Sequence, residues 1–185
     1  MSTRSRIGIL QKDGSVKSIY CHWDGYPEGV GKTLQEHYKD RKEIEKLMEL
    51  GDISSLGDHY DEEISTADWT KFDEPDKEKR EELIKRSENC TIAYKDRGEN
   101  SPARIDEDES EFISKLGKNW EEWTYLYKKD IFGVYRWHIV ETPFFRSLED
   151  ELKNRGAFDN TEKDMGIDIV NQLNLGEDGA KLEFN

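Results

Sequence analysis

The chain has 185 residues, enough for one hydrophobic core and at most a small appendage. Its hydrophobic share is 34% against 38% charged, yet 11% aromatic residues give it the means to anchor a core and argue against wholesale disorder. The net charge of −14 repels phosphate backbones and so disfavours direct nucleic-acid binding. No apolar run reaches the roughly 20 residues a membrane span needs, and no signal-peptide pattern follows the first residues. Cys21 and Cys90 are too few for a disulfide framework and lack metal-ligand spacing, which fits a cytosolic protein with reduced thiols.

Residues 7–10 and 16–23 read as strands joined by the Asp13-Gly14 turn signal. Alternation puts Ile19, Cys21 and Trp23 on a core face, with Tyr20, His22 and Asp24 opposite. Cys21 is then a small buried hydrophobe. Three glycines and Pro27 break the strand at 25–31. A helix is expected over 30–38 from the spacing of Val30, Leu34 and Tyr38. Asp40 and Glu43 form a capping-box pattern for a second helix with Ile44, Leu47 and Met48 as its stripe, ended by Gly51. Residues 52–57 read as a connecting turn.

Residues 60–111 carry 18 acidic and 9 basic side chains, whereas residues 1–59 carry 10 and 9. Most of the excess negative charge therefore sits in mid-chain, across residues 60–111, which include an acidic insertion around 60–89. Pro75 opens an expected charged helix there, anchored by Leu83 and Ile84. A short strand follows at 90–94, a polar loop at 96–102, and a short helix marked by Phe112, Ile113 and Leu116. Residues 123–127 and 134–140 read as a second hairpin, joined across Asp130 and Gly133. Thr142-Pro143 opens a helix with Phe144, Phe145, Leu148 and Leu152 on one side and Gly156 as its stop. The expected fold is a single α+β domain over 1–156: a mainly antiparallel sheet of about five strands, two hairpins plus one, with helices on one face. Residues 157–185 form an acidic C-terminal extension, partly docked through Met165, Ile167, Ile169, Val170 and Leu173.

The segment from Cys21 to Thr33 concentrates the chemically notable residues. Gly31-Lys32-Thr33 matches the end of a phosphate-binding loop, but Tyr26 stands where that motif needs its first glycine. Looser phosphate binding by Lys32, Thr33 and the helix start remains open, with Arg97 as a second cation and Tyr26 stacking on a base. His22 and Asp24, two apart on a strand, suit an acid–base pair of a hydrolase or a structural hydrogen bond pinning the turn. No nucleophile elbow, zinc-protease or paired-cysteine motif occurs, and neither a cofactor nor a metal site is expected.

Met1-Ser2-Thr3-Arg4-Ser5, the Ile7-Gly8-Ile9 strand, the Asp13-Gly14 turn and Ile19-Tyr20-Cys21-His22-Trp23-Asp24-Gly25-Tyr26-Pro27 resemble a family of small bacteriophage and prophage proteins with no agreed activity. The likeness continues through Leu34-x-x-His37-Tyr38, through Leu50-Gly51-Asp52-Ile53-Ser54-Ser55-Leu56-Gly57, and through the loop from Tyr94 to Glu99 that contains Asp96-Arg97-Gly98. The resemblance implies a phage accessory protein acting by binding, most simply a non-enzymatic antagonist of a host defence factor. Its partner would be a host protein with a basic surface or nucleic-acid-binding groove, met by the acidic surface and the 22–33 loop. Two alternatives stand beside it: a protein that sequesters a nucleotide-like or phosphorylated small molecule, and a hydrolase using His22 and Asp24.

Overall fold

The computed structural model describes residues 2–66, 76–117, 120–141 and 144–157. Among these residues nine strands and six α-helices follow in the order β1 (Ser5–Leu10), β2 (Val16–Cys21), α1 (Lys32–His37), α2 (Arg41–Glu49), β3 (Ile53–Ser55), β4 (His59–Tyr60), α3 (Glu62–Thr66), α4 (Lys77–Ser87), β5 (Cys90–Ala93), β6 (Arg104–Asp106), α5 (Glu109–Ser114), β7 (Trp123–Lys129), β8 (Tyr135–Glu141), β9 (Phe144–Ser147) and α6 (Leu148–Asn154). One sheet runs β4-β5-β3-β2-β1-β7-β8-β9, with β6 pairing alongside β2.

The α+β class holds, but the sheet is mixed rather than mainly antiparallel, and among the described residues it has nine strands rather than about five. Strands β1 and β7 pair in parallel at the centre, as do β2 with β3 and β4 with β5. The sequence hid these pairings for physical reasons. Strands β3, β4 and β6 are two or three residues long, too short to show alternation, and parallel neighbours leave no turn signal between them. The stretch 52–57 thus contains a strand, not only a turn. Phe144 and Phe145 lie in strand β9, so the final helix starts four residues later, capped by Ser147.

The helices also cover both faces, not one. On the first face Ile7, Ile9, Ile19 and Cys21 pack with Leu34 of α1, Ile44 and Leu47 of α2, and Leu148 and Leu152 of α6. On the second, Phe112 of α5 packs with Val16, Leu126 and Val140. Gly8 makes that second layer fit: a Cβ there would lie 3.1 Å from the Phe112 ring and 3.2 Å from Val16. Cys21 is fully buried, and loss of solvent pushes its thiol up to about 12, so it is packing material and not a nucleophile. The acidic insertion builds a small core of its own from Ile64, Leu83 and Cys90, while Ile84 is exposed rather than an anchor. The expected C-terminal docking element falls outside the described residues.

Candidate functional site

Strand β2 ends at Cys21, and the next two residues cling to β3: the His22 amide donates to the Ile53 carbonyl at 3.2 Å and Trp23 to Ser54 at 3.0 Å. The chain then turns through Asp24, whose φ of 55° is left-handed. This turn ends the alternation. Trp23, expected in the core, is 46% exposed and stands edge-on to the His22 ring. Among the described residues no hydrogen bond joins His22 to Asp24; the Nδ1 of His22 lies 2.8 Å from the Tyr20 hydroxyl instead. Asp24 serves the turn, its carbonyl accepting the Val30 amide at 2.8 Å. A Cβ on Gly29 would sit 2.3 Å from that same oxygen.

A wide helical turn at Pro27–Gly31 then leads into α1. Its amides bond inward: Gly29 and Gly31 to the Tyr26 carbonyl, and Lys32 to Gly29 and Pro27. Thr33 donates its hydroxyl to the Gly29 carbonyl at 3.2 Å, and Lys32 lies 3.8 Å from Glu36. Tyr26 stands partly exposed ahead of the helix, and Gly31 packs under Leu148 and Tyr125. Arg97 sits elsewhere, over the Tyr94 ring and in a cleft of about 390 Å³ with Ser65 and Cys90. The six residues singled out from sequence therefore do not form one cluster.

His22 alone among them enters a cleft of about 750 Å³ on the α5 side of the sheet, where β1 begins and β2 ends. Arg4, Tyr20, His22, Asp52, Tyr94 and Glu99 line it. Ser101, Arg104, Trp120 and Glu121 complete it. Asp52 accepts the Tyr20 amide at 2.8 Å and lies 3.7 Å from Arg104; burial raises its carboxyl above the usual range. At the floor Glu121 pairs with Arg6 at 2.6 Å, both side chains almost wholly buried. Arg6 also donates to Ser18. Comparison with family models, with curated proteins and with solved structures finds no match to this chain. The site therefore rests on its own geometry. Among the described residues no cluster of three or more His, Cys, Asp or Glu could hold a metal ion, and no helix is long and apolar enough to cross a membrane.

A second feature lies at the tip of the β7–β8 hairpin. Ile131 is 93% exposed and Phe132 81%, with Val134 and Tyr135 exposed beside them. The tip is not loose. Asp130 Oδ1 accepts the amides of Phe132 and Val134, both at 2.9 Å, and Arg136 lies 2.9 Å from its other oxygen. A line of rings roots the hairpin in the core: Tyr135 stacks on Tyr127 at 5.7 Å, and Tyr127 meets Trp137 at 5.2 Å. Trp137 and Tyr127 donate to the carbonyls of Tyr38 and Lys39, both at 2.9 Å, which ties the hairpin to the end of α1.

The hairpin itself was legible in the sequence, but its apolar tip was passed over as a turn. The signal was there in the Asp-Ile-Phe-Gly run, where a turn normally carries polar residues. Arg4 and Glu121 offered none, since nothing local marks either as a cleft residue.

Proposed function

We propose that the protein acts by binding a host protein, as a phage accessory protein working in the cytoplasm of the bacterial host cell and antagonising a defence factor without turnover. The observation that carries this is the rigid, exposed Ile131-Phe132 tip. Two large apolar side chains held out from a chain of net charge −14 gain nothing from water; they gain when an apolar pocket covers them. Phe132 is the anchor, fixed in advance by the Asp130 carboxylate, so little ordering entropy is lost on docking. The partner fitting both features has an apolar pocket in a basic surrounding, and the acidic surface speeds the encounter.

The test uses purified tagged protein and host lysate, comparing wild type with an Ile131→Ser, Phe132→Ser double variant. The expected outcome is one stoichiometric host protein retained by wild type and lost by the variant, with thermal melting unchanged. Its binding weakens as salt rises. Equal capture by both proteins, or no capture by either, would overturn the reading.

A further inference from the structure

We infer that the cleft at the end of β2 is a binding site for a nucleoside monophosphate, its ring stacked on Trp120, its phosphate held by Arg4 and Arg104, and a base N–H (ring imide or exocyclic amine) donated to Glu121. Three independent observations lead there.

The first is Trp120. It is 78% exposed at the cleft wall, and its backbone adopts φ 64°, a left-handed conformation unfavourable for a bulky residue. A tryptophan that is both unburied and strained gains nothing from the fold itself. A planar ligand ring stacked on its face supplies the missing contact. The second is Glu121. Its side chain is 99% buried by relative area, as the complement of 1% exposure, and one oxygen binds Arg6. The other, Oε2, has no hydrogen-bond partner although the residue lines the cleft. A buried carboxylate oxygen without a partner is costly, and an N–H of the base satisfies it.

The third is the charge balance. Arg4 and Arg104 of the lining face Asp52, Glu99 and Glu121, and the buried Arg6 already offsets Glu121, so the cleft is close to neutral while the whole chain carries −14. At physiological salt the screening length is about 8 Å, so these near groups outweigh the distant acidic surface. A neutral cleft with two arginines at its wall accepts one phosphate but not the charge of three. A volume of about 750 Å³ falls within the usual range for small-ligand sites. This site lies outside the Lys32 helix start, and it does not depend on the hairpin tip.

The experiment is calorimetric titration of the full chain with AMP, GMP, CMP and UMP, with the matching nucleosides, inorganic phosphate and ATP as controls. At least one monophosphate should bind with a dissociation constant below about 1 mM, at least about tenfold tighter than its nucleoside, phosphate or the triphosphate. Trp120→Ala should weaken it by about tenfold or more, as expected for a lost stacking contact, and leave the melting temperature unchanged. Arg104→Gln should do the same. The Ile131→Ser, Phe132→Ser variant should bind the monophosphate like wild type, which separates this site from the docking tip. Absence of binding by all four monophosphates, or affinity unmoved by Trp120→Ala, would overturn the assignment.

Discussion

The two hairpin turns share a backbone and differ in almost everything else. In the first, the Gln11 amide donates to Ser15 at 2.8 Å, Gly14 donates back to Gln11, and Gly14 takes φ 93°. In the second, Asp130 donates to Val134 at 2.8 Å, Gly133 donates back to Asp130, and Gly133 takes φ 80°. The first turn fills its exposed positions with Lys12 and Asp13, the second with Ile131 and Phe132. One geometry accepts either pair, so the turn does not demand the apolar one. What differs is what the side chains are there to touch.

That contrast can be broken or sharpened by stability measurements, taken in order of expected effect. The largest belongs to neither turn: Glu121→Ala removes the carboxylate that balances the buried Arg6 charge and should cost about 3–5 kcal/mol in urea unfolding. Next come Gly14→Ala and Gly133→Ala, each forcing a left-handed alanine at about 1–2 kcal/mol. Equal losses would confirm that the two backbones are equivalent; an intact Gly133→Ala would mean the second turn relaxes. Asp52 gives a smaller, pH-dependent effect. Burial holds its folded carboxyl above the unfolded value, so folding is favoured while the group is protonated. That contribution is full at pH below the unfolded value and is lost as pH rises through the folded one. Asp52→Asn should therefore flatten the fall in stability across that rise, as followed by thermal melting at stepped pH. Smallest of all is the double change Ile131→Lys, Phe132→Asp, which copies the first turn into the second. It should leave stability within about 0.5 kcal/mol while abolishing partner capture.

The sequence was readable where its signals are local. Asp13-Gly14 and Asp130-Gly133 marked both hairpins, Asp40 caps α2 through the Lys42 amide, and Gly156 stops α6 with φ 70°. It was silent where structure depends on distant partners. Strand β3 has only three residues and owes its existence to β2 and β5 on either side. Trp23 belonged to the core only while strand periodicity continued, and the left-handed Asp24 cancels it. The cleft follows the same rule. Of its lining, His22 was visible because it sits in a dense motif, whereas Arg4 and Glu121 are brought near each other by strand pairing alone. Chemistry assembled across more than a hundred positions leaves no spacing to read.

The parallel pairing of β1 with β7 also sets the order of events in synthesis. Ser5 pairs with Trp123, 118 positions later, so the sheet cannot close until β7 has left the ribosome. Until then the β1–β2 hairpin waits with an unfilled edge, and closing so long a loop is slow. A nascent chain stalled before residue 123 should be protease-sensitive and prone to edge-to-edge association, whereas release past β9 should protect the whole sheet.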